Sequence, residues 1–331
     1  MIITMLAGRD TVAMANPAPN PAPAGRRWLW AGAVVLVGLL VLAALGESLA
    51  VGAVTIGRRL TSGGTLHWSD GASPWAPIPL KVELRRLWGP NDHFLQPRWE
   101  QAGDGLSIAE LKFMRPPNPR AVTLLLLDVD PSRWTLRVWG RPDWSRDDVA
   151  TLADEAGLSW AVNGPYFADD GPLGLVVTDG VVRNRQGSRR AAHFLVDAPG
   201  RLPRIVNERG AAVASVHQGF QGFPAMMTAG RTFGYLRTGG RGFSVSEIDR
   251  RTAACVDVRG HLLLMVTDTW TSGLSLSELA TVMGGLGCED GMAFDGGAST
   301  GLWLDVPGTR RHVYGLDDVP VILGASPREP G

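Results

Sequence analysis

Residues suited to work on a charged substrate gather in three short stretches of this chain. They are Asn163-Gly164-Pro165-Tyr166-Phe167, Arg250-Arg251-Thr252-Ala253 and Phe294-Asp295-Gly296-Gly297-Ala298-Ser299, with Asp268 and Glu278 between the last two. A guanidinium and unpaired backbone amides suit a phosphate. Carboxylates suit acid–base or nucleophilic work at a sugar carbon. The stretches do chemistry together only if the fold brings them to one place.

The elements between them predict that it does. Thr252–Val258 and His261–Thr267 are apolar runs joined by Arg259-Gly260, a two-residue hairpin turn in which 258 faces 261 and Arg251 faces Asp268. Ser275 and Glu278 form a capping box opening a helix whose buried stripe is Leu276, Leu279, Ala280, Met283 and Leu286; Gly287 closes it and Gly291–Asp295 is the next strand. Strand, crossover helix and strand in one sheet run parallel, so Asp268 and Asp295 end up at the same sheet edge, beside the helix N-terminus. Upstream, Ser145 opens a helix with Asp148 in its capping box and Val149, Leu152, Ala153 and Ala156 as its apolar face. Gly157 ends that helix, and Asn163 follows the strand Ser159–Val162, joining the same edge. The same register sets Cys255 opposite Leu264 and Cys288 level with His261. That offset, roughly 10 Å, lies beyond disulfide reach, so the spacing disfavours a bridge.

Each residue also has an ordinary structural explanation. Arg251 and Asp268 would make a cross-strand salt bridge, Glu278 a helix cap, and Asp295-Gly296 or Asn163-Gly164 a turn. Convergence at one edge is what favours chemistry.

The motifs, in order, are Ala161-Val162-Asn163-Gly164-Pro165-Tyr166-Phe167, Pro172-Leu173-Gly174 with Asp179-Gly180, Arg251-Thr252-Ala253, Ser272-Gly273-Leu274-Ser275-Leu276-Ser277-Glu278-Leu279-Ala280, and Asp295-Gly296-Gly297-Ala298-Ser299. This series resembles the phosphodiester glycosidase family, the uncovering-enzyme-like domain that removes N-acetylglucosamine from a phosphodiester. The matching segments run over about residues 99–325. The resemblance implies a hydrolase that cleaves a sugar-1-phosphodiester on its glycosidic side, with no cofactor. It implies Asp295 or Asp268 as base or nucleophile, with Arg251 and Glu278 beside them. Arg251 and the turn Gly296, Gly297 and Ser299 would hold phosphate, and Asn163, with Gly164, Tyr166 and Thr252, would contact the sugar. Pro165 and Ala298 stand where the family has glycine, removing an amide donor at one position and backbone freedom at the other.

Three rivals follow from the same residues. Gly297-Ala298-Ser299-Thr300-Gly301 matches a serine-hydrolase elbow, but Leu302–Val306 reads as a strand where that motif wants a helix, and His312 follows too soon. The six histidines show no paired ligand spacing, although two aspartates and a phosphate would suit a hard divalent cation. A membrane-anchored glycan-binding or assembly factor with altered catalysis would retain the fold and account for Pro165 and Ala298.

Composition sets the frame. The chain has 331 residues, 45% of them apolar, and a formal net charge of zero, which argues against a broad nucleic-acid surface. Trp28 to Gly46 is uncharged, preceded by Arg26-Arg27, and long enough to cross a bilayer. It reads as a signal anchor, with a cleaved signal ending at Ser48-Leu49-Ala50 as the alternative. The expected organisation is a disordered cytoplasmic tail (1–27), a transmembrane segment (28–50), a stalk and entry segment (51–98) and one extracytoplasmic domain (99–325). That domain is expected to be α/β (α+β), a strand-rich mixed sheet with few helices.

Overall fold

The computed structural model describes residues 66–78, 94–116, 118–185, 191–207, 215–238 and 244–328. The expected tail and membrane segment lie outside the described residues. Among the described residues no helix is long and apolar enough to cross a membrane.

Strands account for most of the regular structure among the described residues, as the alternating apolar pattern requires. In chain order the main ones are β1 (Leu106–Arg115), β2 (Asn118–Val129), β3 (Trp134–Trp139), β4 (Trp160–Asn163), β5 (Ala192–Val196), β6 (Gln218–Gly222), β7 (Ala225–Thr228), β8 (Thr252–Asp257), β9 (Leu262–Thr267), β10 (Cys288–Ala293), β11 (Leu302–Val306), β12 (Thr309–Val313) and β13 (Ile322–Pro327). Two helices of more than one turn accompany them among the described residues, α1 (Val149–Ala156) and α2 (Leu276–Leu286). A ten-stranded sheet carries β7-β10-β8-β9-β2-β1 in that order. A second sheet runs β12-β11-β4-β13-β3, and a third includes β6 and β5. Leu125, Leu127, Leu264, Phe294, Trp160, Val162, Leu302 and Phe220, drawn from all three sheets, meet in one buried core. On the other face of the large sheet, α2 packs Leu279, Val282, Met283 and Leu286 into a second core.

β8 pairs antiparallel with both β9 and β10, so the two strands joined through α2 run in the same direction with β8 between them. Their C-terminal ends therefore share an edge with the start of β8. Helix α2 begins with the expected capping box of Ser275 and Glu278 and ends at Gly287, which is left-handed at φ 84. In α1 the N-cap is Asp148, not Ser145: its carboxylate accepts from the amides of Ala150 and Thr151.

Two expectations are corrected here. Thr252 pairs with Val266 and Val256 with Leu262, one residue away from the register of a two-residue turn. The Asp257 carboxylate accepts from the amides of Arg259 and His261, and Gly260 bonds back to Asp257, which stretches the connection. Arg251 consequently lies level with Thr267, exchanging backbone and side-chain hydrogen bonds with it, and the Arg251–Asp268 salt bridge does not form. The cysteines do pair: Cys255 and Cys288 form a disulfide with their Cα atoms 5.7 Å apart. β10 begins at Cys288, and an irregularity between Val256 and Asp257 brings that residue level with Asp257, two positions from Cys255 on the same face.

The glycine-rich 213–243 stretch, where the sequence shows no periodicity, contains β6 and β7. Its glycines allow close packing: a Cβ on Gly219 would lie 2.8 Å from the Phe194 carbonyl, and one on Gly222 2.8 Å from that of Ala293.

Candidate active site

Where β8 starts and β9 and β10 end, the chain passes three times through a small volume. The innermost link is Asn163, fully buried at the end of β4. Its Oδ1 accepts from the Thr252 hydroxyl (2.6 Å) and the Gly301 amide (3.1 Å), while its Nδ2 donates to the Asp295 carbonyl (2.8 Å). These bonds occupy the amide inside the protein, so Asn163 fixes the Asp295 backbone and is not placed to contact a sugar hydroxyl. Thr252 is buried with it. Gly164 completes the clamp, its carbonyl accepting from the Asp295 amide at 3.1 Å; a Cβ there would sit 2.8 Å from the Val321 carbonyl.

Asp295 is held at Oδ1 by the Gly296 amide (2.9 Å). Burial pushes its carboxyl up to about 6, and the nearby charges of Asp317 and Asp249 act in the same direction, against hydrogen bonds from the Ser299 side chain and the Gly296 amide. Tyr166 stands close enough to feel Asp295, and burial pushes its phenol up to about 12. Beside Tyr166 a cavity of about 230 Å³ opens between Leu173, Ala191, Gln221, Gly222 and Phe223.

The two arginines divide the work in a way the sequence did not predict. Arg251 donates from Nε to the Leu274 carbonyl (2.9 Å) and from Nη2 to the Glu247 carbonyl (2.7 Å), so much of its guanidinium is spent on backbone. Arg250 is 5% exposed and donates only from Nη2, to the Tyr314 carbonyl at 2.8 Å. Its Nε and Nη1 are buried and find no partner among the described residues. Burial holds this guanidinium below its ordinary value, with Asp268 and Asp249 pulling it back up. Buried donors in this state call for an acceptor such as an ordered water or a bound anion.

Asp249 is the residue the sequence reading passed over. Its carboxylate accepts from the Arg250 amide, lies against Gly297, and acts electrostatically on Asp295, Arg250, Arg251 and Tyr166. The signal was its place, immediately before the arginine pair at the start of β8. Two motif glycines make room for it. A Cβ on Gly273 would fall 1.8 Å from the Asp249 carbonyl, and Gly297 (φ 63) would put one 3.2 Å from the Asp249 carboxylate. Positive φ falls on Gly297 and not on Ala298, so the alanine in that motif carries no backbone strain.

Other expected contributors sit differently. Glu278 is 2% exposed and is held by Arg115, at 2.6 Å from Nε and 2.5 Å from Nη2, while also capping α2. Arg115 reaches the Gly273 carbonyl as well (2.9 Å), so the pair supports the segment on which Asp249 rests and stands behind the site. The α2 N-terminus is closed to anions by that capping box and by a bond from the Ser277 amide to the Val245 carbonyl. The amides of Gly296, Gly297 and Ser299 bond to the Asp295 carboxylate, the Arg250 carbonyl and the Gly296 carbonyl. Phosphate binding by this turn, expected from the sequence, therefore has no amide of these three left to use. Asp268 is exposed at the end of β9 and acts on Arg250. Ser299 is buried, inside a 3₁₀ turn that leads to β11 and not to a helix, so the nucleophile-elbow geometry is absent. Among the described residues no group of three His, Cys, Asp or Glu side chains has metal-holding geometry.

What the arrangement offers is a half-buried carboxyl raised toward neutrality, a second carboxylate beside it, and a buried cation with two unpartnered nitrogens. That set suits displacement at a sugar carbon with an anionic leaving group.

Comparison with known proteins places this geometry. The phosphodiester glycosidase family model matches residues 156–324, which run from the last residue of α1 into β13 and include Asn163, Arg250 and Asp295. The zebrafish N-acetylglucosamine-1-phosphodiester alpha-N-acetylglucosaminidase catalytic domain, auto-inhibited by its pro-peptide, superposes with a TM-score of 0.56 at 19% identity over 72% of this chain and 86% of that one. A hypothetical protein from Synechocystis gives 0.50 at 15% identity over 71% of this chain, which spans 64% of that protein's length. At these identities the superpositions establish the fold. A search of curated proteins finds no match. The family match covers just over half of the chain, and the chain accordingly belongs to the phosphodiester glycosidase family.

Proposed function

We propose that this protein hydrolyses a sugar-1-phosphodiester at the bond between C1 and the bridging oxygen. The observation that carries the reading is Arg250, a buried guanidinium with two unpartnered nitrogens at the same sheet edge as Asp295. A phosphodiester brings one negative charge and acceptor oxygens to it. As the C1–O bond breaks, charge grows on the departing phosphate monoester, and a donor already in place stabilises that growth without reorganising.

The departing phosphate is a good anion, so the reaction asks little of a general acid. It asks for a carboxylate that accepts a proton from attacking water or attacks C1 itself. Asp295 fills that role in its ionised form, with the proton passing to solvent as the sugar hydroxyl forms. Asp249 supports the positive charge that develops on the sugar ring. Tyr166 and the adjoining cavity form the sugar side, with a small apolar pocket for a ring substituent.

The same reading sets the domain outside the cytoplasm of a bacterial cell, behind an anchor at Trp28–Gly46, acting on envelope or exopolysaccharide glycans. The uncharged run supports it, and so does the Cys255–Cys288 disulfide, which belongs to an oxidising compartment.

The test is turnover of N-acetylglucosamine-1-phosphomethyl ester by the purified protein in ¹⁸O-labelled water. The reading expects label in the sugar and none in methyl phosphate. Label in the phosphate would mean attack at phosphorus and end the proposal.

A further inference from the structure

Arg250 is held between the backbone of one exposed aromatic residue and the ring of another. Its Nη2 donates to the Tyr314 carbonyl at 2.8 Å and its Cζ lies 5.3 Å from the centre of the Trp270 ring. Both residues are 58% exposed, and exposed aromatics that cluster, unlike those scattered singly, mark an interaction surface. The loop carrying Tyr314 is tied to the Asp295 turn, because the amides of Leu316 and Asp317 both donate to the Ala298 carbonyl. The rings therefore rim the mouth of the site.

The aromatic surface continues outward. Tyr314 stacks on His312, with ring centres 3.6 Å apart, and His312 meets Trp303 edge-on at 5.2 Å. Trp303 and His312 are direct cross-strand partners on β11 and β12, at the edge of the second sheet. At its far end the Arg310 guanidinium, paired with Asp305, lies 5.6 Å from the Trp303 ring. Read along the surface, the order is cation, aromatic rings, cation.

We propose that this strip binds the part of the substrate beyond the scissile phosphate, and that the substrate is a glycan chain whose sugars are joined by phosphodiesters. Sugar rings present flat C–H faces that pack on aromatic rings while their hydroxyls stay in water. An arginine at each end matches a phosphate that recurs between sugars. A singly capped sugar phosphate would use Arg250 and leave the strip bare. The proposal rests on the glycosidase reading for the position of the first phosphate.

Calorimetric titration of the full chain carrying Asp295→Asn tests it without turnover. The probes are N-acetylglucosamine-1-phosphomethyl ester, an α-1,4-phosphodiester-linked tetramer of N-acetylglucosamine 1-phosphate, and an inorganic oligophosphate of the tetramer's charge. The tetramer is expected to bind at least tenfold more tightly than the methyl ester. Adding Tyr314→Ala, or separately Trp270→Ala, is expected to cut that preference about fivefold or more. If Trp270 only steadies Arg250, its loss weakens both probes equally and the ratio stays. Equal binding of tetramer and methyl ester, an unchanged ratio in both variants, or an oligophosphate that matches the tetramer overturns the proposal. Failure of the unsubstituted protein to hydrolyse the methyl ester would instead remove the glycosidase reading and leave the affinity ratio to decide this one.

Discussion

Replacing Asp295 with asparagine is expected to abolish turnover and stabilise the protein at the same time. Burial lifts the Asp295 carboxyl from 3.8 to about 6, so the folded protein binds a proton that the unfolded chain has already released. At ~1.4 kcal/mol per tenfold change, the ionised carboxylate costs the fold roughly 3 kcal/mol at neutral pH. Asparagine carries no charge, keeps an oxygen for the Gly296 amide and offers its NH₂ to the Ser299 hydroxyl. For a domain of this size ~3 kcal/mol corresponds to a rise in Tm of about 6–10 °C.

The sign is checked by pH. A carboxyl with a raised folded pKa contributes stability that is present below its unfolded value and lost as pH rises through the folded one. The gap in Tm between Asp295→Asn and the parent should therefore be small at pH 4, grow between pH 4 and 6, and level off above about 6. Differential scanning calorimetry from pH 4 to 8 reads it directly. Turnover should fall on the order of 10³- to 10⁴-fold, and the parent's activity should climb with pH through about 6 as Asp295 ionises. A variant less stable than the parent at pH 7.5, or a pH-independent Tm gap, would refute the buried-carboxylate argument. Retained turnover would refute the catalytic one.

Three other substitutions separate the site from its supports. Arg250→Gln should reduce kcat/KM by about 10²- to 10³-fold and remove competitive inhibition by inorganic phosphate; unchanged inhibition would place the anion elsewhere. Glu278→Gln leaves Arg115 buried without its charge partner and should cost roughly 3–5 kcal/mol of stability, measured by urea unfolding, with kcat at 20 °C nearly preserved. A large kcat loss in a folded Glu278→Gln protein would return that residue to the chemistry. Cys255→Ser should cost about 2–4 kcal/mol, and mass spectrometry after alkylation should find both thiols of the parent blocked until reductant is added.

Periodicity made much of the fold legible, and it stopped where side chains compete for backbone. The helix over 276–286 follows from its stripe and its Ser275–Glu278 box, and the shared edge of β9 and β10 follows from the helix. The β8–β9 register depended on a turn whose Asp257 side chain captures two amides, and nothing in an apolar alternation reports that capture. The same half-turn of pairing hid the disulfide, since one irregularity at Val256–Asp257 moves Cys288 within reach. At the site, the sequence identified which segments meet but not which donors remain unspent. Neighbouring arginines on one strand point to opposite sides, and composition cannot say whether Arg250 or Arg251 is the one left open. Asp249 was hidden for a related reason: an aspartate before two arginines reads as their counter-charge until the glycines at 273 and 297 are seen to make space for it.

The distribution of charge at the edge argues for a ligand that separates it. Arg250 is buried and Asp295 half-buried, and each is fastened to something other than an opposite charge. Tyr314 and Trp270 hold the guanidinium, and the Gly296 amide holds the carboxylate, with Asp249 acting on each. Keeping two such groups without opposite charges costs stability. The cost has a use if the missing partners arrive together, an anion for Arg250 and, one bond away, a carbon that becomes electron-poor beside Asp295. A phosphate ester of a sugar C1 contains both, joined by the bond that breaks. A lone phosphate would satisfy only the arginine and an uncharged glycoside only the carboxylate, so under the proposed reaction the two groups together favour a phosphodiester.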